Sequence, residues 1–269
     1  MGTSKQLLII GYGNMSGAML AGWLADGAAP EQFAILNRSS KPAPDGVIVY
    51  RDIAQAEAAG SHDAIMLGFK PHQLTDLAVD FQSLAKDRPV YSLLAGLTLA
   101  QLRDAFPNAG AHIRVMPNLA SRINKSPIIL AQTGLDQGGR DECTRLFDRL
   151  GNAVWLENED HYDLATALAG SGPGFVYRFI DALAEAGSAL GLGDEQAKSL
   201  ALAMVDGAAS LAAQSDVSPG ELADRVASPG GMTRQGLNVL DHDEALLKLL
   251  TCTLDATAKR GAELAARKD

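Results

Sequence analysis

Six short runs, residues 7–10, 33–36, 47–50, 64–67, 90–94 and 113–115, are predominantly apolar, broken only by Ser92 and Arg114, rather than apolar at every second position. A strand with that pattern must be covered on both faces, which is the condition of a parallel sheet held between two layers of crossover helices. Half-polar segments long enough to be those helices lie between or after the runs, at 15–26, 73–81, 99–106 and 140–150. Repetition of strand, helix and strand makes a doubly wound α/β fold the expected architecture.

A short apolar run at 153–156 is the last of its kind, and from about Asp160 the strand pattern stops. Leu164, Leu168, Gly172, Phe175, Phe179 and Leu183 recur at spacings of three and four, an apolar stripe on one long helix that Gly172-Pro173 is expected to bend. Further helices are expected at 194–214, at 219–226 with Ser218 as cap, and at 244–267. The expected division is therefore an α/β sheet domain over 1–157 and an all-α domain over 158–269. Leu246, Leu247, Leu249, Leu250 and Leu254 put apolar side chains on more than one face of the last helix. About 110 residues of helix do not supply enough chain to cover such faces alone, so a second copy in a symmetric dimer is expected, with a monomer as the alternative.

Charge narrows the partner. Residues 1–156 hold 14 basic and 14 acidic side chains, and residues 157–269 hold 9 and 18, so the net charge of −9 lies in the helical part. Nucleic acid needs a basic face and is disfavoured. The start of the chain lacks a basic, apolar and small-residue leader, and no apolar run approaches the roughly 18 residues of a membrane span, so a cytoplasmic location is expected. Cys143 and Cys252 stand far apart without further Cys or His at ligand spacing. They read as small core residues, with neither disulfide nor metal site expected.

The first run leads into Gly11-Tyr12-Gly13-Asn14-Met15-Ser16-Gly17 and then a helix. Glycines there let the backbone turn tightly and approach a pyrophosphate, whose charge suits the free N–H groups of the helix start. Ser16 replaces the third glycine of the usual spacing. After the second run stands Asn37-Arg38-Ser39-Ser40, where an NAD site carries an acid. An arginine with hydroxyls suits a 2′-phosphate, so NADPH is the expected cofactor, with NADH as the alternative. Two later run ends, Gly68-Phe69-Lys70-Pro71 and Leu94-Ala95-Gly96, join the same pocket, Lys70 meeting charge and Gly96 permitting close approach. Asn118, after Met116-Pro117, either hydrogen-bonds near the nicotinamide or merely makes a turn.

Two glycine-rich segments interrupt the helical part, Gly170-Ser171-Gly172-Pro173-Gly174 and Ser228-Pro229-Gly230-Gly231-Met232-Thr233. Each glycine costs about 1 kcal/mol in a helix interior, so close packing or a binding role is implied. A turn that exposes amides at a helix start would take a substrate carboxylate, with the Thr233 hydroxyl beside it. Together with Gly11 to Met15, Lys70-Pro71 and Met116-Pro117-Asn118, these segments make the chain resemble the pyrroline-5-carboxylate reductases. The resemblance implies a Rossmann-type NADP-binding domain followed by a helical dimerisation domain, with dimers built into a larger ring. It also implies reduction of 1-pyrroline-5-carboxylate to proline by hydride transfer. Cofactor contacts are expected from Gly11, Gly13, Asn14, Met15, Asn37, Arg38, Ser39, Lys70, Pro71, Ala95, Gly96 and Asn118. Substrate contacts are expected from Glu159, Ser228, Gly230, Gly231, Met232 and Thr233, with Thr233 at the ring nitrogen.

Two other functions fit parts of the pattern. A 2-hydroxy acid dehydrogenase would need a lysine or histidine base on a C-terminal helix, for which Lys198 and Lys248 qualify by residue type alone. An NADP(H) sensor without turnover would have no use for a second, carboxylate-binding segment.

Overall fold

The structure is a computed structural model that describes residues 5–39 and 41–266. Its strands are β1 (Leu7–Ile10), β2 (Phe33–Leu36), β3 (Ile48–Tyr50), β4 (Ala64–Leu67), β5 (Pro89–Ser92), β6 (Ala111–Met116), β7 (Ser126–Thr133) and β8 (Gly151–Trp155). They form one sheet in the order β3-β2-β1-β4-β5-β6-β7-β8. Every neighbouring pair is parallel except β6 and β7, so the sheet is mostly rather than wholly parallel. The doubly wound α/β architecture expected from the alternation is the one observed.

Helices α1 (Asn14–Ala25), α2 (Ile53–Ala59), α3 (Leu74–Ala78), α4 (Gln82–Ala85), α5 (Leu99–Ala105) and α6 (Gln137–Asp148) accompany these strands. Each buried strand splits its side chains between two cores. Leu7, Ile9, Ile35, Met66, Ile113 and Val115 pack with Met19, Leu20, Trp23 and Phe147. Leu8, Ile10, Ala34, Leu36, Ile65, Leu67 and Val90 pack with Leu102 and Phe106 on the other face. A period of two with both halves apolar is what the unbroken runs encode. Trp23 fixes α1 on the first face: it is fully buried, stacks on Phe33 at 5.2 Å, and its indole N–H donates to Leu146 O at 2.8 Å.

The remaining helices are α7 (Tyr162–Ala165), α8 (Gly172–Ala189), α9 (Asp194–Ala213), α10 (Pro219–Arg225), α11 (Met232–Asp241) and α12 (Ala245–Ala266). Several expectations are corrected here. The helix expected at 73–81 is α-helical only over α3, between 3-10 turns at Pro71–Gln73 and Val79–Phe81. The long helix expected through 164–183 is interrupted by a π-helical turn at Thr166–Gly170. Glu244 has φ +56° and stands outside α12, which begins one residue later; Arg267 lies outside the described residues. Ser218 is the expected cap, its hydroxyl accepting from Glu221 N at 3.2 Å.

The chain forms two compact units. One runs to Gly170 and takes back the chain from Thr257; the other is Ser171–Ala256. The last strand ends at Trp155. Within the second unit, α8 and α9 meet through a small cluster of Ala184, Ala197 and Ala201. Val176, Tyr177, Phe179, Leu200, Leu202, Met204, Leu247 and Leu249 remain exposed. Cys143 is buried as expected, whereas Cys252 is exposed on the uncovered face of α12. Among the described residues, no helix is long and apolar enough to cross a membrane.

Candidate active site

Because β1, β2, β4, β5 and β6 are mutually parallel, their C-terminal ends lie along one edge of the sheet. Every residue expected to meet the cofactor follows one of those ends. Chain order reverses between β1 and β4, the place where an open α/β sheet leaves a crevice. The two strands leave it in register, Ile10 opposite Leu67, and Gly68 N donates to Ile10 O at 2.8 Å.

Gly11 has φ +93°, and a Cβ there would stand 2.9 Å from the Gly68 backbone, so the turn excludes any other residue on both counts. Ser16, in place of the third glycine, is accommodated from across the crevice. A Cβ on Gly68 would come within 2.1 Å of the Ser16 hydroxyl, so the glycine that makes room stands on β4's exit instead of on α1. Close helix packing falls to Gly22, where a Cβ would meet Ser121 O at 2.0 Å.

Gly13 caps α1 without a side chain to bond its amides, and no acidic residue stands in the first turn. The Asn14, Met15 and Ser16 N–H groups precede the first intrahelical bond, from Gly17 N to Gly13 O. Such a start is a receptor for an anion.

Asn37, Arg38 and Ser39 follow β2. The Asn37 amide donates to Ser39 Oγ at 2.7 Å, and Arg38 is exposed. Ser40 lies outside the described residues. Two cations that the sequence reading did not single out join this loop. Arg51 donates to the Asn37 carbonyl at 3.2 Å and to the Ser39 carbonyl. Lys41 Nζ donates to Tyr12 O at 3.1 Å and Gly13 O at 3.4 Å, and sits 4.4 Å from the Tyr12 ring centre. A signal for Lys41 was present: residues 32–44 hold two cations and no acid. Among the described residues no carboxylate forms an ion pair with Arg38, Lys41 or Arg51. The loop is thus positive where an NAD site would be acidic, and the residues fit a phosphorylated ribose.

Lys70 is exposed ahead of the 3-10 turn Pro71–Gln73, its N–H held by Gln73 Oε1 at 3.1 Å. Ala95 is exposed and Gly96 has φ +75°. A cavity of about 850 Å³ opens beside Pro71, Ala95 and Gly96, lined otherwise by such residues as Leu74, Gln82, Gln101 and Leu264. Its lining holds no lysine or arginine and does not include Gly11, Gly13 or Asn37. Asn118 is buried with its amide engaged at both ends: Oδ1 accepts from Ala120 N at 2.9 Å, and Nδ2 donates to Ala169 O at 3.0 Å. Pro173 lacks the N–H that would serve the Ala169 carbonyl in a regular helix, and the asparagine supplies that bond.

Glu159 belongs to the first unit. Its Oε1 accepts from Arg114 at 2.7 Å and from Leu99 N at 2.7 Å. The Arg114 guanidinium lies 3.5 Å from the Tyr162 ring centre, and burial raises the Tyr162 hydroxyl pKa.

The other expected substrate residues belong to the second unit. Ser228-Pro229-Gly230-Gly231 is a β-turn: Gly231 N donates to Ser228 O at 2.9 Å and Gly230 has φ +73° in the third position. A Cβ on Gly231 would fall 2.6 Å from Ser228 Oγ. Gly231 is also the side-chain-free cap of α11, which has no acid in its first turn. The Met232, Thr233 and Arg234 amides precede the first bond, Gln235 N to Gly231 O, and Ser228, Met232 and Thr233 are exposed. Arg234 is held against Asp224 at 2.7 Å. The turn therefore presents a second anion-receiving helix start with two hydroxyls.

Both candidate lysines of the dehydrogenase alternative are surface residues with partners of their own. Lys198 is exposed and pairs with Glu195 at 2.9 Å, a hydrogen bond that raises its pKa; Lys248 is exposed and donates to Asp243 O at 2.6 Å.

Residues 159–264 match the family model described as pyrroline-5-carboxylate reductase dimerisation, and residues 6–96 match that described as NADP oxidoreductase, coenzyme F420-dependent. The chain is 34% identical to pyrroline-5-carboxylate reductase 2 of Bacillus subtilis, over 97% of this chain and 95% of that one. It is 30% identical to the pyrroline-5-carboxylate reductase of Pisum sativum, over 97% and 96%. The solved pyrroline-5-carboxylate reductase of Coxiella burnetii superposes with a TM-score of 0.89 at 29% identity, covering 98% of this chain and 100% of that one. A Plasmodium falciparum pyrroline carboxylate reductase solved with NADP bound shares the fold, with a TM-score of 0.83 at 23% identity over 98% and 99%. With such relatives along nearly its whole length, and a dimerisation segment over its helices, the chain belongs to the pyrroline-5-carboxylate reductase family of oxidoreductases.

Proposed function

We propose that this protein reduces 1-pyrroline-5-carboxylate to proline with NADPH as hydride donor, the last step of proline biosynthesis, in the cytoplasm. The observation that carries the reading is the pair of side-chain-free helix starts, at α1 and at α11. One suits the pyrophosphate and the other the carboxylate of the imine. Cofactor binding is assigned to residues 1–157, and substrate binding and dimerisation to 158–269. Lys41 and Arg38 favour NADPH over NADH, because a 2′-phosphate gains from cations that a ribose hydroxyl does not need.

NADPH, when bound, supplies the hydride. The protein's part is to bind, orient and hold a proton in place. Amides of residues 232–234 and the Ser228 hydroxyl hold the substrate carboxylate. The Thr233 hydroxyl hydrogen-bonds the ring nitrogen, keeping the protonated imine oriented so that its carbon accepts the hydride and the nitrogen keeps its proton as an amine. No strong base is required, which agrees with the surface character of Lys198 and Lys248.

A second copy of the chain covers the exposed apolar residues of α8, α9 and α12, giving a homodimer from which a larger ring is assembled. Thr233→Ala tests the assignment. The expected result is a fall in kcat of about 100-fold, the scale of a lost proton-holding group, with the Kd for NADPH unchanged. Unchanged turnover removes Thr233 from the mechanism.

A further inference from the structure

A single carboxylate oxygen joins three elements of the first unit. Glu159 begins the short turn ahead of α7. Its Oε1 accepts from the Leu99 amide and from the Arg114 guanidinium, each at 2.7 Å. Leu99 opens α5, three residues after Gly96. The rest of that opening is also satisfied by side chains: Thr98 Oγ1 accepts from Gln101 N at 3.2 Å, and Gln101 Oε1 accepts from Thr98 N at 2.8 Å. Neither of these bonds reaches the Leu99 amide, which depends on Glu159. Arg114 stands on β6 opposite Ser92 of β5, two residues ahead of Met116.

The arginine side chain is only 6% exposed, against 30% for the glutamate. Arg114 Nε has no acceptor among the described residues, and Glu159 is its ion-pair partner there. A guanidinium buried to this degree and stacked on Tyr162 requires a counter-charge, and losing that charge is costly. The carboxylate is thus bound to a buried cation at one side and to a helix start at the other.

We propose that Glu159 is a positioning residue for the cofactor rather than a substrate contact: it pins the start of α5, and with it the Ala95-Gly96 turn, to the buried Arg114 of β6. This rests on the assignment of Ala95 and Gly96 to NADPH.

Three protein forms test it: wild type, Glu159→Ala, which loses both bonds, and Glu159→Gln, which keeps an oxygen for Leu99 N and loses the charge. Amide hydrogen exchange without cofactor is expected to rise about 10-fold at Leu99 in Glu159→Ala, and less in Glu159→Gln, the scale of one charge-assisted bond. The Kd for NADPH, read from quenching of tryptophan fluorescence, is expected to rise by a similar factor of about 10 in Glu159→Ala. The KM for the imine at saturating NADPH should stay within about two-fold of wild type. Arg114→Lys, which keeps a positive charge but cannot stack flat on Tyr162, is expected to weaken NADPH in the same direction even if Glu159→Ala folds poorly. Wild-type exchange at Leu99 and wild-type NADPH affinity in both glutamate variants, with the loss confined to the KM for the imine, would overturn the proposal and return Glu159 to the substrate. Exchange and cofactor binding need no turnover, so a wild-type enzyme inactive on the imine would defeat the proposed reaction without touching this result.

Discussion

Gly22 of α1 sets two physical effects against each other. In a helix interior, glycine to alanine is worth about 1 kcal/mol of added stability from backbone propensity alone. Here the new methyl would stand 2.0 Å from Ser121 O, 2.8 Å from Leu150 Cδ2 and 3.0 Å from Ser121 C. Ordinary contact begins near 3.5 Å, so α1 and the Leu119–Ile123 turn would have to separate by roughly 1 Å or more. Two of those three neighbours are backbone, so no rotamer change relieves the clash. Separation also stretches the bond from Asn124 Nδ2 to Gly22 O, now 2.9 Å. Overpacking of this kind costs about 1–3 kcal/mol and a broken buried hydrogen bond about 1 more, so Gly22→Ala is expected to lose about 2 kcal/mol net. Gly17, in the same helix, is the control. A Cβ there meets only Lys41 Nζ at 3.6 Å and the Tyr12 ring at 3.7 Å, so Gly17→Ala should gain up to about 1 kcal/mol. The assay is urea denaturation at one fixed protein concentration, because an oligomer's stability depends on concentration. Equal midpoints for the two variants, or a Gly22→Ala protein more stable than wild type, would refute the packing argument.

Two further outcomes follow from the geometry. Lys41→Ala should raise the Kd for NADPH by about 10-fold, the scale of one charge-assisted hydrogen bond, and leave the Kd for NADH within about two-fold, as measured by fluorescence titration. His62 is buried with Nε2 3.3 Å from Leu84 O, and burial, with Arg88 adding to it, holds its pKa below the ordinary 6.5. The unfolded chain then binds a proton the folded one refuses, so this contribution is complete above the ordinary value and is lost as pH falls below it. The slope is at most about 1.4 kcal/mol per pH unit, and His62→Gln should flatten it in urea melts taken between neutral and mildly acid pH.

Strand runs were legible because burial on both faces leaves few polar positions, and 7–10, 33–36 and 64–67 appear unchanged as β1, β2 and β4. What escaped was set by partners distant in sequence. Ile128-Ile129-Leu130-Ala131 in β7 carries the same signal, but it follows β6 as an antiparallel neighbour without a crossover helix, so the alternation does not point to it. The helix expected at 73–81 has the right apolar spacing, yet its turns change type at Val79. The exchange of Gly68 for the missing third glycine is visible only once β1 and β4 lie side by side. Lys41 and Arg51 reach the loop after β2 from outside the motif, and a motif reports local residues. The partners of Glu159, Leu99 and Arg114, lie 60 and 45 residues away in sequence, so no local pattern joins the three.

The central claim is a reaction, and the most direct measurement is the near-ultraviolet absorbance of NADPH after mixing with purified protein and 1-pyrroline-5-carboxylate, with a panel of 2-keto acids run alongside. The account predicts rapid loss of that absorbance with the imine alone and proline as the product. Loss only with a keto acid, or NADPH binding without turnover on any of them, would contradict it.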